Sequence, residues 1–451
     1  MARVLPFVGT RYNPKAVENL AGVMAPPYDI ISPSMQEALY QLSPFNIVRL
    51  ILGKDQVDDD EYNNKYQRAA SFLKDWRSKG IVIDDPCKNF YVYQQEFRMP
   101  DNKVRVRTGF FAAILIEDPE KGMIHGHERT FEGPKADRLK LLRSTNCNLS
   151  PIFCLYDDPQ KYSDDLLRAI TEKEPSRTDL TDDEGVRHRL WVLSNSSKVK
   201  QLSAMMQNRK FFIADGHHRY ETAVQYCMEK AMAQGLRKND HPSYTYVFSF
   251  LMNSNSDGLV ILPTHRVLSK EFGEGVNHAE VMQDLEEFFE VIPLHVDLKK
   301  AQSEGERITR EIETSAAKST TFAMVLPGGK GCLLRLKTDK PIRDEMRSSP
   351  PPVIAKLDVS VLHEYIIPKI WIGNPEVELD DQDVFYVRGA DEALTMLGHP
   401  TFASAVFLMN APCVEQVQEI ASLKLRMPHK TTYFYPKLLT GMVLRDLSAP
   451  W

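Results

Sequence analysis

The sequence predicts an α/β protein with mixed sheets, and three observations carry that prediction. Strand-like and helix-like stretches alternate along much of the chain, as they do in α/β architectures. Near the middle, FFIADGHHRYETA runs an apolar strand (Phe211 to Asp215) into Gly216 and then into a helix, Tyr220 to Gln234. Toward the end, VFYVRGADEALTML and SAVFLMNAPCVEQVQEIA each read strand, polar turn, helix, the second with Pro412 placed to begin its helix.

The earlier elements follow in order. A strand and a proline-fixed loop, APPYDIISP (Ala25 to Pro33), open the chain. Helical spacing of Tyr62, Tyr66, Ala69, Phe72, Leu73 and Trp76 predicts a helix over Asp58 to Lys79. Strands are expected over Asn89 to Phe97 and Val104 to Glu117, divided by the turn chemistry of MPDNK (Met99 to Lys103). A charged loop and helix take Glu120 to Asn146, and Pro151 to Tyr156 reads as a short buried strand. Helices are expected over Asp164 to Lys173 and Lys200 to Asn208. Strands follow at Ser243 to Asn253 and Leu259 to Leu268, with a helix over His278 to Glu290. TTFAMVL and CLLRLK flank PGGKG (Pro327 to Gly331), a hairpin signal. Three consecutive prolines in SSPPPV (Ser348 to Val353) disfavour regular structure and mark a linker. At 451 residues the chain exceeds what one core usually serves. Three modules are therefore expected: 1–200, 201–347 around the DGHHR segment, and 353–451.

Hydrophobic content of 43% and charged content of 26% are those of a folded globular protein. A net charge of -5 gives no reason to expect strong attraction to nucleic acid or an anionic membrane. No apolar stretch reaches the roughly 20 residues of a membrane span. The opening MARVLPFVGTRYNPK lacks the apolar core of a secretory signal. The six cysteines are dispersed and form no CxxC, as expected of reduced thiols in a cytoplasmic protein.

Ala214 to Ala223 has the layout of an anion site. A strand ends, a glycine turns the chain, and a helix begins with amides that have no partner within the helix. Gly216 and His217 sit at that start. Arg219 adds a planar fork suited to phosphate oxygens, and His217 and His218 can donate hydrogen bonds or shuttle protons near neutral pH. Asp215 would repel a bare phosphate, so it is expected to hold Mg2+, orient a histidine or act as a base. Read without function, the segment is a capped helix start with solvent-facing histidines.

Three further segments collect polar residues. HGHERTFEGPKADR (His125 to Arg138) offers Glu128 as a general base or Mg2+ ligand, with Lys135 and Arg138 as phosphate contacts. It reads equally as a charged surface loop. PTHR places Thr264, His265 and Arg266 at a strand end, where open α/β sheets bind ligands. MPHKTTYFYPK (Met427 to Lys437) is either a cover over an anionic ligand or a packed strand. His188 and His363 read as core or boundary histidines. No GxxxxGK[ST] or GxGxxG occurs, so nucleotide binding has no support from either fingerprint.

Taken together, APPYDIIS, HERTFEGPKADRLKLL, NLSPIF, FFIADGHHRYETA, LPTHR and TTYFYPKLLTG resemble a bacterial and archaeal family known as domain of unknown function 1015. Its members often carry a ParB-like label. ADGHHRYETA is in addition similar to the signature loop of the ParB/sulfiredoxin superfamily, and most of all to archaeal free-serine kinases, whose loop also reads Asp-Gly-His-His-Arg. That likeness implies a ParB/sulfiredoxin-like nucleotide-binding core with additional α/β modules. In it Gly216, His217, His218 and Arg219 grip phosphates and Asp215 assists metal or transfer. Sulfiredoxin's reactive cysteine is absent, since His217 or His218 stands in its place.

The function expected is therefore a nucleotide-dependent phosphotransferase acting on a hydroxyl of a small polar metabolite. Its cofactors would be ATP or ADP with Mg2+, and its catalytic groups Asp215, His218 and Glu128. A ParB-like switch that binds or hydrolyses CTP, and a phosphohydrolase, are the alternatives. The expected partners are nucleotide and small molecule, without nucleic acid or membrane, in a possible homodimer. The DGHHR, HERT and PTHR segments are expected to converge on one cleft.

Overall fold

The computed structural model describes residues 3–99, 102–117, 122–235, 237, 240–316, 319–346, 348–377, 379–380, 382–399 and 401–449. Within them the chain is a mixed α/β protein of two units, Met1–Val260 with Pro436–Trp451, and Ile261–Tyr435.

In the first unit, IFCLY, FFIAD and YVFSFLMN are apolar at consecutive positions and do not alternate with polar residues. They form the strands Ile152–Tyr156, Phe211–Asp215 and Tyr246–Asn253, buried at nearly every position. Continuous burial of this kind belongs to strands covered on both faces. Among the described residues the main sheet runs Ile124–His125, Phe211–Asp215, Ile152–Tyr156, Tyr246–Asn253, Val104–Leu115, Phe90–Arg98, Arg187–Leu193 and Thr178–Thr181. Its directions are mixed. Phe211–Asp215 is parallel to Ile124–His125 and antiparallel to Ile152–Tyr156, with the register slipping between Ile213 and Asp215. Phe90, Phe110, Tyr156, Phe211 and Leu251 belong to one buried cluster on this sheet.

Around it stand the helices Lys65–Ser78, Glu132–Thr145, Tyr162–Thr171, Ser196–Met205 and His217–Gln234. The first begins later than its apolar spacing predicts. Asn64 accepts hydrogen bonds from the amides of Tyr66 and Gln67, and that cap sets the start. The proline loop was expected to stay irregular to Pro33, but a helix begins there, Pro33–Leu42, capped by Ser32 with proline in its first turn. Part of the expected turn Met99 to Lys103, and of the expected loop from Glu120, lies outside the described residues.

A smaller sheet joins Val82–Asp84, Gly9–Tyr12, Leu444–Asp446 and Cys147–Asn148, and so draws the last residues back into this unit. The buried Arg445 donates to Tyr246 O, the Ser243 carbonyl and Asn148 Oδ1. Gln95 Nε2 donates to Lys437 O at 2.9 Å, and Arg107 donates to Pro436 O. A buried arginine satisfied by carbonyls fixes backbone far more sharply than apolar contact does.

The second unit is built on an antiparallel sheet ordered Phe289–His295, Lys330–Leu336, Thr321–Val325, Ala403–Leu408, His265–Ser269, Val384–Val387. The hairpin at PGGKG forms as expected. The expected single strand Leu259 to Leu268 is two, Val260–Leu262 and His265–Ser269, interrupted at Pro263 because proline cannot donate to a ladder. The helix His278–Phe288 passes directly into strand at Phe289, so the expected helix to Glu290 is shorter. Helices Ala301–Ala316 and Ala390–Gly398 cover the sheet over Val267, Val325, Val406 and Leu408. Within SSPPPV, a short helix, Pro352–Ala355, starts where proline is tolerated. Among the described residues no helix is long and apolar enough to cross a membrane.

Candidate functional site

Gly216 turns the chain at the end of Phe211–Asp215 with φ +92°, a conformation that side chains with a Cβ avoid. The helix His217–Gln234 starts at the next residue. It starts earlier than the predicted Tyr220 because Tyr220 N already donates to Gly216 O. A Cβ at Gly216 would stand 2.9–3.0 Å from the Arg219 guanidinium, which folds back over the glycine. Arg219 donates to Pro151 O and lies 2.5 Å from Asp215 Oδ2. Lys437 Nζ reaches the other oxygen of Asp215 at 2.6 Å. Asp215 therefore lies between two cations. Burial opposes its ionisation, but Lys437 and Arg219 outweigh burial and hold its pKa below the ordinary value. Burial lowers the Arg219 pKa, and the charges of Asp215 and Asp29 more than restore it.

The HERT loop meets this helix start. His217 Nδ1 lies 2.8 Å from Glu128 Oε2, and His217 Nε2 accepts the His127 amide at 3.1 Å. An imidazole nitrogen accepts only when it carries no proton. With the amide bonded, the His217 proton sits on Nδ1, at ion-pair distance from the carboxylate. The loop approaches this closely because residue 126 is glycine, where a Cβ would stand 3.0 Å from the His217 ring. Burial works against ionised Glu128. His217, with His127 and Lys437 beyond it, outweighs burial and holds the carboxyl well below the usual carboxylate range. A third of the Glu128 side chain is exposed.

His218 Nε2 accepts the Phe131 amide at 3.0 Å, and the two rings stack with centroids 6.1 Å apart. Burial lowers its pKa, so the ring is neutral at pH 7 with its proton on Nδ1. Lys135 is spent on Glu132 at 2.7 Å and Glu221 at 3.4 Å. Arg138 donates to Ile51 O, pairs with Asp137 and lies over the Tyr28 ring at 3.9 Å. With Arg219 and Tyr28 it lines a pocket of about 60 Å³.

Thr264, His265 and Arg266 belong to the second unit. His265 is buried and its Nδ1 accepts the Met409 amide. Burial holds its pKa down at about 3, so it stays neutral. Arg266 is buried and bonded to His363 Nε2.

Two residues of the first-unit site escaped the sequence reading. Lys437 lay within a segment considered only as a cover or a strand, and its approach to Asp215 depends on Gln95 and Arg107 anchoring its backbone. Asp29 lies in the proline-fixed loop and is exposed. Its pKa is raised by the loss of surrounding water and by the charge of Asp215, against the pull of Arg219 and Lys437. The Pro-Pro-Tyr-Asp spacing was the available signal, but nothing in it says what the aspartate faces.

Among the described residues no group of three or more His, Cys, Asp or Glu is placed to hold a metal ion. Both oxygens of Asp215 are engaged by cations. This donor set does not suit a protein-only cage for Mg2+.

No curated protein matches the chain. A free serine kinase variant solved with AMP is 13% identical, with a TM-score of 0.32 over 72% of this chain and 87% of that one. A conserved hypothetical protein from Pyrococcus furiosus gives 12% and 0.31 over 73% and 92%. Truncated SbnI from Staphylococcus aureus gives 9% and 0.29 over 73% and 85%. At such TM-scores none of these likenesses bears on the chemistry of the site. The model of the family described as "Protein of unknown function (DUF1015)" matches residues 4–360, and the chain belongs to that family.

Proposed function

We propose that the first unit is a nucleotide-dependent phosphotransferase that phosphorylates a hydroxyl of a small polar metabolite, with ATP or ADP as donor. The observation that carries this reading is the pairing of Glu128 with His217 at the first turn of the Gly216 helix. It sets an ionised carboxylate beside a phosphate-binding helix start. The likeness of ADGHHRYETA to the ParB/sulfiredoxin loop supports it.

Phosphoryl transfer asks for positioning and charge neutralisation more than covalent chemistry. The first-turn amides after Gly216 hold the phosphates. Arg219 and Lys437 neutralise them, exchanging part of their contact with Asp215 for the ligand. His218, neutral with its proton on Nδ1, donates toward the transferred group. Glu128, oriented by His217, accepts the hydrogen of the acceptor hydroxyl as its oxygen bonds to phosphorus and the bond to the leaving phosphate breaks. Mg2+, when bound with nucleotide, would supply further neutralisation of the phosphates.

Phosphorus NMR of the protein with ATP or ADP, Mg2+ and a pool of hydroxylated metabolites, run beside Arg219→Ala, tests this. A new phosphoester lost in the variant is the expected result. Free phosphate regardless of acceptor would replace the reading with a phosphohydrolase. Hydrolysis confined to CTP would replace it with a ParB-like switch. No turnover at all would sink the enzyme.

A further inference from the structure

The second unit holds a cavity of about 330 Å³ that the first-unit reading does not use. Its volume falls within the range of small-molecule sites. Arg266 lines it and is 1% exposed. Its guanidinium donates from Nε to His363 at 3.0 Å, from Nη1 to Thr264 O and the Met409 sulfur, and from Nη2 to Lys430 O at 3.2 Å. Five N–H groups meet four acceptors, one of them a weak thioether, so one Nη2 hydrogen has no protein partner among the described residues. Among the described residues no carboxylate is paired with this guanidinium; the ionisable neighbour acting on it is Tyr386. Buried arginines are ordinarily matched by an anion, because a lone buried charge is costly.

One more feature of the same wall is positive: Lys356 stands at the exposed rim. One feature is acidic. Asp358 lines the cavity with Thr320 and Asn410 as its polar neighbours and no cation beside it, and burial raises its pKa to about 6. Opposite charges that share a cavity without pairing with each other leave it bipolar, with the positive side in excess.

We infer that this cavity binds a small amino-dicarboxylate of the aspartate or glutamate class. One carboxylate meets Arg266, the other meets Lys356, and the ammonium meets Asp358. Such a ligand carries two anionic ends and one cationic end, which is the complement of the wall.

The test is saturation-transfer NMR and calorimetry on the full chain with L-aspartate and L-glutamate. Succinate and glutarate, which lack the ammonium, and L-alanine, which lacks the second carboxylate, are the controls. Either amino-dicarboxylate should bind, with the controls weaker by about tenfold or more. Asp358→Asn, nearly isosteric, and Lys356→Met, at an exposed position, should each weaken binding by a similar factor, while Glu128→Gln leaves it unchanged. Arg266 is left intact, because its bonds hold His363 and two carbonyls. Binding of neither amino acid, equal binding of succinate or glutarate, indifference to Asp358→Asn and Lys356→Met, or loss in Glu128→Gln would each overturn the inference. The last outcome would move the ligand to the first unit, and the other three leave the phosphotransferase reading untouched.

Discussion

His217 holds Glu128 by Nδ1 at 2.8 Å while its Nε2 accepts the amide of His127 at 3.1 Å, so one imidazole fixes both the carboxylate and the loop that carries it. Two remote stretches of sequence are joined through that ring.

Glu128→Gln keeps the shape and removes the charge. Phosphotransfer should fall by about 10²–10⁴, the usual worth of a positioned base. Nucleotide affinity by calorimetry should stay the same. A variant that transfers phosphate at the wild-type rate removes Glu128 from the mechanism.

His217→Ala leaves Glu128 without its orienting bond. Turnover should drop by about ten- to a hundredfold, as when a ligand loses its outer partner. Because His217 lowers the Glu128 pKa, its removal lets that pKa rise toward the ordinary 4.5. The acid limb of the pH–rate profile should then move to higher pH, a displacement that loss of packing alone would not produce.

Lys437→Met tests the cation pair on Asp215. The loss should cost about 1.5–3 kcal/mol of stability at pH 7, the range for a hydrogen bond to a charged group. The Asp215 pKa is depressed in the folded state, so its stabilising contribution is full above 3.8 and is lost as pH falls through the folded value. The difference in unfolding free energy between wild type and variant should shrink as pH is lowered below 3.8. A difference that does not change with pH would mean Lys437 acts through packing.

Gly216→Ala must adopt φ +92° and displace the Arg219 guanidinium. It should cost about 1–3 kcal/mol, read from denaturant midpoints. It should also weaken nucleotide binding, since the phosphate loop and Arg219 move together. Unchanged affinity would argue that phosphates bind elsewhere.

His218 should titrate below its ordinary 6.5, because protonating Nε2 forfeits the Phe131 amide and burial disfavours the charge. Ring proton shifts in an NMR pH series, assigned with His218→Gln, give the midpoint. A midpoint above 6.5 would remove the neutral donor from the proposed mechanism.

Much of the local structure was written in the sequence. The strand Phe211–Asp215, the hairpin at PGGKG and the strand–turn–helix at Val384–Val387 and Ala390–Gly398 formed where apolar period and turn chemistry put them. Those signals are short-range, as are the glycine turn and helix start that mark the anion-binding layout. The helix Ala301–Ala316 was not read, because charge on its exposed face hides the apolar stripe, and the strand Phe289–His295 was not, because Pro293 within it breaks the strand signal.

The partners of the charged groups are decided only by tertiary structure. Sequence alone could name Asp215 and Arg219, but it could not show that Lys437, on the last stretch of chain, returns to share the same carboxylate. Nor could it show that Arg266 lies buried in the other unit with His363 beside it. The reason is physical. Periodicity and capping act between near neighbours, whereas charge pairing and burial depend on distances in space that are set when distant strands and the returning C-terminal segment close on a common core.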